Sequence, residues 1–285
     1  MTLPDTTGHG PAIVARLRAA GCVFAEDEAR LLITEAATAA DLADMVDRRV
    51  AGLPLEQVLG WAEFCGRRIA VEPGVFVPRR RTEFLASQAA TLAGQAASLA
   101  SRAAAARPTV VVDLCCGSGA IGAAVAAELG GAELHAADID PAAVRCARRN
   151  IEAVGGRVHQ GDLYEPLPEA LRGRVDVLVV NAPYVPAGEV ALLPPEARDY
   201  ERNVALDGGA DGLDVVRRVI AGAPPWLASG GSLLVETSDR QAAQARLAVT
   251  RAGLIARVAR SAELGSTVVT GTSTRRMAPG AGLPG

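Results

Sequence analysis

The sequence predicts an α/β fold in which a mostly parallel sheet is covered by helices on both faces, preceded by a small helical domain. Three observations carry this. Val110-Val111-Val112 and Val177-Leu178-Val179-Val180 are unbroken branched apolar runs, the mark of strands buried on both faces. Helix-length segments alternate with such runs from residue 110 onward, as crossovers between parallel strands require. Residues 11–50 show only helical periodicity.

Composition bounds the rest. A chain of 285 residues, 49% hydrophobic, with mean hydropathy +0.20, holds one large or two modest globular domains. All 29 basic residues are arginine, a compositional bias that carries no function by itself. A net charge of −3 and a pI of about 5.7 count against a large nucleic-acid footprint, because phosphate binding draws on a basic excess. The five cysteines, at 22, 65, 115, 116 and 146, include no Cys-x-x-Cys pair. That pattern fits reduced thiols in a cytoplasmic protein rather than a disulfide framework, and no metal site is expected. No apolar run reaches membrane length, and the N-terminus lacks an apolar signal core.

In chain order, residues 1–54 form the helical domain, after a loose tail over 1–10. Asp41 is its expected helix start and Gly52 its stop. It either recognises a macromolecular substrate or caps the next domain. Residues 55–78 read as a β-hairpin linker, alternating over 64–71 and 75–77 with Pro73-Gly74 as the turn. Residues 79–274 form the main domain and 275–285 a disordered tail. Arg79-Arg80-Arg81 is either a solvated face or the lining of a cleft. A helix over 82–107, with Leu85, Leu92 and Leu99 at heptad spacing, packs on the sheet. Strands are expected at 110–114, 132–139, 158–160, 176–180, 231–236, 254–260 and 266–271. The segment 187–212 is long, polar and proline-punctuated, the profile of a lid or binding loop.

The first strand runs through Asp113 into Cys115-Cys116-Gly117-Ser118-Gly119-Ala120-Ile121-Gly122, which opens a helix. Glycines there let a ligand approach the backbone, and a helix N-terminus favours polar or anionic groups. Gly117-x-Gly119-x-x-Gly122 also matches a dinucleotide fingerprint. Asp113 shifts the balance, since a carboxylate repels a pyrophosphate but pairs with a cationic amino group. That favours S-adenosylmethionine; a purely structural turn stays open. Asp138 lies at a strand tip about 25 residues past Asp113, near the spacing of ~20 at which an acid accepts ribose hydroxyls. Asp140, before Pro141, reads as a helix N-cap. Asp162 either meets an adenine amino group or caps its own loop. His159 reads as a strand residue rather than a catalyst.

Asn181-Ala182-Pro183-Tyr184 ends the fourth strand. Pro183 has no N–H and holds Ala182 extended, so the chain leaves the sheet where open α/β sheets bind ligands. The Asn181 oxygen and the Ala182 carbonyl can accept both N–H groups of a planar nitrogen and aim its lone pair at an incoming methyl group. Tyr184 can stack on the plane. An ordinary strand-ending turn is the alternative that four residues leave open.

The whole order resembles that of the class I S-adenosylmethionine-dependent methyltransferases, and more narrowly the protein-(glutamine-N5) methyltransferases that modify peptide-chain release factors. The likeness runs from about Pro54 to Thr270. It rests on Pro54-Leu55-Glu56-Gln57-Val58-Leu59-Gly60, Phe64-x-Gly66, Pro78-Arg79 with Thr82-x-Phe84, the loop after Asp113, Asn181-Ala182-Pro183-Tyr184, and Ala205-Leu206-Asp207-Gly208-Gly209-Ala210-Asp211-Gly212-Leu213. The resemblance implies a Rossmann-like, seven-stranded sheet and S-adenosylmethionine as cofactor. It implies catalytic roles for Asn181, Ala182, Pro183 and Tyr184. Cofactor contacts fall to Asp113, Cys115, Gly117, Gly119, Asp138, Asp162 and Asn181. The implied partner is a release factor or similar protein with a Gly-Gly-Gln-type loop, in the cytoplasm, with neither membrane nor nucleic acid. Three departures stand out. Cys115 replaces a loop glycine, which implies an ordinary backbone conformation there. Ala182 replaces the first proline of Asn-Pro-Pro-Tyr, which implies looser preorganisation. Arg81 stands where the family's Pro-Arg-Pro-Glu-Thr-Glu carries an acid, which reverses the charge. The rival readings are a nucleic-acid adenine-N6 methyltransferase, a dinucleotide-dependent oxidoreductase and a non-catalytic adaptor.

Overall fold

The computed structural model describes residues 10–102 and 107–274. The expected tail over 275–285 and all but the last residue of that over 1–10 lie outside the described residues. Helices α1 (Gly10–Ala19), α2 (Ala25–Glu35), α3 (Ala39–Val50) and α4 (Leu55–Leu59) come first. Leu17, Leu32, Val46 and Val58 close into an apolar cluster of their own. Beside it Arg49 meets Glu28 in a buried ion pair, Nε to Oε2 at 2.6 Å. α3 starts from Thr38 rather than Asp41. The Thr38 hydroxyl accepts the Asp41 N–H at 3.1 Å, so Asp41 is the residue being capped. Gly52, with φ of +100°, follows the end of α3 as expected.

Strands β1 (Trp61–Phe64) and β2 (Arg67–Ala70) form the hairpin. It turns at Cys65-Gly66, not at Pro73-Gly74. Both turn residues have positive φ, 50° and 68°, which matches the twist of paired strands. Residues 75–77 form no strand; Val75 and Val77 are buried in loop. In α5 (Glu83–Arg102) the packed stripe is Leu85, Ala86, Ala89 and Ala93, while Leu99 is 66% exposed. Of the leucine heptad, Leu85 and Leu92 pack on the core and only Leu99 does not. Small alanines do the packing, because they let α5 lie close to its neighbour α6 (Ala120–Leu129).

One sheet holds β3 (Val110–Leu114), β4 (Glu133–Asp138), β5 (Arg157–Gln160), β6 (Val175–Val180), β7 (Leu227–Thr237), β8 (Ile255–Ser261) and β9 (Ser266–Thr272). Their order is β5-β4-β3-β6-β7-β9-β8. Neighbours run parallel except β9, which is antiparallel to both β7 and β8. The order reverses between β3 and β6, so the switch point of the sheet lies there. Side chains alternate across it. Val111, Val177 and Val179 pack with Leu85, Ile121 and Ile151 on one face. Val112, Leu178 and Val180 pack on the other with α9 (Asp214–Gly222) and α10 (Ala242–Arg251), through Val216, Ile220 and Val249. Between β4 and β5, α7 (Pro141–Ile151) starts as read: the Asp140 carboxylate accepts the Ala142 N–H at 2.9 Å, with Pro141 in the first turn. No helix among the described residues is long and apolar enough to cross a membrane.

His135 of β4 and His159 of β5 stack with ring centroids 5.2 Å apart, and Nδ1 of one lies 2.9 Å from Nε2 of the other. Burial holds both imidazoles below their ordinary value; Arg157 adds to this at both, and Arg174 at His135. Glu133 opposes it at His135. A base held down in the fold takes up its proton more readily when unfolded. The stability it contributes is complete above the unfolded value of about 6.5 and is lost as pH falls through the folded one. Thermal unfolding should therefore shift to lower temperature between pH 7.5 and 5.5, and His159→Gln should flatten that slope. Equal slopes in both proteins would show that the pair carries none of it.

Candidate active site

The last rung shared by β3 and β6 pairs Leu114 with Val180. The next residues, Cys115 and Asn181, leave the sheet together. The glycine-rich loop and the Asn-Ala-Pro-Tyr turn thus open side by side onto one cavity of about 690 Å3.

At the loop end, Cys115 has φ of +55°, against the ordinary conformation expected of a non-glycine residue. The left-handed region costs an L-residue roughly 1–2 kcal/mol. Gly117 and Gly119 follow at +54° and +77°. A Cβ on Gly119 would lie 2.7 Å from Ile151 Cγ1, whereas one on Gly117 would meet no protein atom within 4 Å. Gly117 is thus open at the cavity wall. Asp138 braces the loop: one carboxylate oxygen accepts the Gly117 N–H and the other the Asp140 N–H, each at 2.9 Å. Burial raises its pKa, partly offset by those bonds. Asp113 is fully buried behind the loop rather than on the cavity wall. Its Oδ2 accepts the Gly122 N–H at 2.8 Å, its Oδ1 has no partner, and burial pushes its pKa up to about 7. Asp162 lies on the wall, paired with Arg218 at 2.5 Å. Burial, with nearby Asp138 and Asp113, pushes both the Cys115 and Cys116 thiols well up.

At the other end, Asn181 lines the cavity and its Nδ2 donates to Thr82 Oγ1 at 3.5 Å. Ala182 is 2% exposed and its methyl belongs to the apolar core. The Tyr184 hydroxyl donates to Glu236 Oε1 at 3.3 Å, and the Arg81 guanidinium lies 5.7 Å from the Tyr184 ring and 3.4 Å from the same oxygen. Burial raises the pKa of Tyr184, and Glu236 adds to it. Arg79 pairs with buried Glu201 at 2.6 Å. Arg79 and the more exposed Arg81 thus line the cleft, and Arg80 does not.

The turn that contains Ala182 is backed by Gln241 and two glycines. Gln241 Nε2 donates to the Tyr184 carbonyl at 2.9 Å and to the Asp211 carbonyl at 3.0 Å. Gly208 and Gly212 lie so close that a Cβ would stand 2.7 Å from the Pro183 carbonyl and 2.2 Å from that of Tyr184. The segment 187–212 also contains α8 (Pro195–Tyr200) and reaches the N-terminal helices. Glu196 pairs with Arg49 at 2.7 Å, and the Tyr200 hydroxyl donates to the Ala51 carbonyl at 2.7 Å. Sequence reasoning gave no role to Glu236 or Gln241. The signal for Glu236 was available, as an acid directly after Leu233-Leu234-Val235.

The residues present fit S-adenosylmethionine. Asp138 brings a carboxylate to the cavity wall, and Gly117 leaves room against backbone, whereas Asp113 lies behind the loop, off the wall. Sheet order and cavity together define a class I S-adenosylmethionine-dependent methyltransferase, with S-adenosylmethionine as its cofactor. The Methyltransferase small domain model matches residues 92–193. The catalytic domain of hMettl16 in complex with MAT2A 3′UTR hairpin 6 shares the fold, with TM-score 0.54 at 14% identity over 84% of each chain. A release factor glutamine methyltransferase of Geobacter sulfurreducens is 38% identical over 70% of this chain, an alignment spanning 65% of that protein. Another, from Bradyrhizobium diazoefficiens, is 32% identical over 94% of this chain and 93% of its own length. The chain belongs to the release factor glutamine methyltransferase family.

The two loop glycines should respond differently to a methyl group. Gly119→Ala should destabilise the fold by about 2 kcal/mol or more, from left-handed strain plus the Ile151 contact. Gly117→Ala should melt closer to the wild type yet bind S-adenosylhomocysteine at least about tenfold more weakly, the worth of one lost contact. Undiminished calorimetric affinity in Gly117→Ala would move the cofactor away from this loop.

Proposed function

We propose that this chain transfers the methyl group of S-adenosylmethionine to the side-chain amide nitrogen, N5, of a glutamine in a peptide-chain release factor, within a Gly-Gly-Gln-type loop. The observation that carries this is the opening of Asn181 and the cofactor loop onto one cavity, from adjacent positions past the same rung. The bound cofactor supplies an electrophilic methyl group. The chain supplies position. An amide nitrogen is a weak nucleophile because its lone pair is delocalised into the carbonyl. The Asn181 oxygen and the Ala182 carbonyl hold its two N–H groups, which turns the lone pair toward the donor. The Ala182 carbonyl lies past the last ladder rung at Val180, and Pro183 brings no N–H of its own. Tyr184 packs on the amide plane. The proton released after transfer passes to water, so no strong base is required. Positioning of this kind is worth on the order of 7–11 kcal/mol.

A nucleic-acid amine acceptor is not favoured. The relatives act on release factors by name, and the chain carries net charge −3. The cleft arginines Arg79 and Arg81 face Glu201 and Glu236 rather than standing ready for phosphate. The cysteines of the described residues are free thiols, which suits reaction in the cytoplasm.

The test is methyl transfer from labelled S-adenosylmethionine to a release factor and to a variant lacking the Gly-Gly-Gln glutamine. Label on the native factor alone is expected; label on both, or on neither, would overturn the assignment. Asn181→Ala should lower kcat by about 10²–10³, the loss typical of one preorganised polar contact. Unchanged turnover would remove Asn181 from the mechanism.

A further inference from the structure

The acceptor end of the cavity is rich in hydrogen-bond acceptors and short of free side-chain donors. In the proposed transfer the Asn181 oxygen and the Ala182 carbonyl hold the N–H groups of the glutamine amide, and Pro183 has no N–H to offer. The Asn181 NH2 is turned to Thr82 Oγ1 at 3.5 Å, and the Tyr184 hydroxyl to Glu236 Oε1 at 3.3 Å. Arg79, also on the wall, is committed to Glu201 Oε1 at 2.6 Å. A peptide loop entering this end brings carbonyl oxygens of its own. Taken out of water they need donors, since a buried carbonyl left unpaired is costly.

Arg81 is the side chain there with donors to spare. It lines the same wall, and its side chain is 47% exposed. Its ion pair with Glu236 Oε1 runs through Nε at 3.4 Å, longer than the roughly 2.7–2.9 Å of a charge-assisted hydrogen bond. The two terminal NH2 groups, which carry most of the guanidinium N–H donors, lie farther still from that oxygen. The guanidinium carbon stands 5.7 Å from the centre of the Tyr184 ring. A glutamine amide packed on that ring sets its own loop beside Arg81. Glu236 also decides what kind of group suits this guanidinium. An acid so near offsets much of the positive charge but leaves the terminal N–H groups unused, which favours a neutral oxygen over a second anion.

From this accounting we infer that Arg81 binds the acceptor loop, its terminal NH2 groups donating to backbone carbonyl oxygens next to the target glutamine. The inference rests on the amide-methylation reading and names the chemistry by which the cleft holds its substrate. Glycine neighbours suit it, because they carry no side chain to shield those oxygens. The glutamine's own side-chain oxygen is the wrong partner: a donor there would draw the nitrogen lone pair further into the carbonyl and slow transfer.

The experiment compares Arg81→Met and Arg81→Lys with the wild type on the release factor. Arg81→Met keeps the stem and deletes the donors. Its KM for the factor should rise about tenfold or more, as expected for lost hydrogen bonds to a charged group. Its kcat, and its Kd for S-adenosylhomocysteine, should stay within about twofold of wild type, the pattern of lost uniform binding. Arg81→Lys keeps a charge opposite Glu236 without the planar fork and should recover only part of KM. The KM ratio of Arg81→Met to wild type should hold from low salt to about 0.5 M. A ratio that collapses in salt would put an acidic side chain of the factor on Arg81 and overturn the carbonyl assignment. A raised kcat in Arg81→Met would place the contact on the side-chain oxygen and overturn it too. If Arg81→Met does not fold, adding Glu236→Gln removes the buried acid left unpaired, and the double variant decides. Label on the factor with KM unchanged in Arg81→Met would overturn this inference alone. Absence of label with the wild type would overturn the amide-methylation reading, and the inference with it.

Discussion

Leu114 and Val180 face each other on the last rung that β3 and β6 share, and ladder geometry then leaves the following residues little freedom of direction. Both chains must leave the sheet at its carboxyl edge, a few ångströms apart. One carries the glycine-rich loop and the other the Asn-Ala-Pro-Tyr turn. The two-sided core holds that register. A slip of one residue would turn Val177 and Val179 toward α9 and α10, and Leu178 and Val180 toward α5. The proximity of cofactor loop and acceptor turn is thus set by hydrophobic alternation several residues upstream.

The sheet was legible because its signals are local and strong. Branched apolar runs marked β3 and β6, and Asp140-Pro141 marked the start of α7. Short-range ambiguity produced the misses. Cys65-Gly66 and Pro73-Gly74 are both good turn dipeptides, and only the pairing of Trp61 with Ala70 distinguishes them. Thr38 and Asp41 are both good caps, separated by which one supplies the oxygen. Leu99 keeps a heptad with Leu85 yet stays exposed, because the buried residues of α5, Leu85, Ala86, Ala89 and Ala93, stop short of its last turns. Within the site, Asn181, Asp138 and Gly117 announced themselves through position at strand tips. Gln241 did not, because it acts through partners thirty or more residues away in sequence, joined only by the fold, and the strand-tip signal of Glu236 gave no sign of its partner Tyr184. Cys115 is a different case. Residue type argued for ordinary φ, and the loop imposed the left-handed value regardless.

The segment after the acceptor turn joins parts that the sequence reads as separate. Glu201 accepts the Val77 N–H at 3.0 Å and the Arg79 guanidinium at 2.6 Å. Glu196 and Tyr200 of α8 reach Arg49 and Ala51 on the helical side. The segment that carries Pro194 and Ala197 of the cavity wall thus also contacts the N-terminal helices.

Two thiols stand in the loop that cradles a methyl donor, and a thiolate is a far better nucleophile than an amide. Placed beside a sulfonium, an ionised Cys115 or Cys116 would compete with the intended acceptor and alkylate itself. Burial, with the neighbouring Asp138 and Asp113, pushes both thiols up and so disfavours the thiolate. The burial and the acids that shape the loop thus also disfavour a competing nucleophile within it.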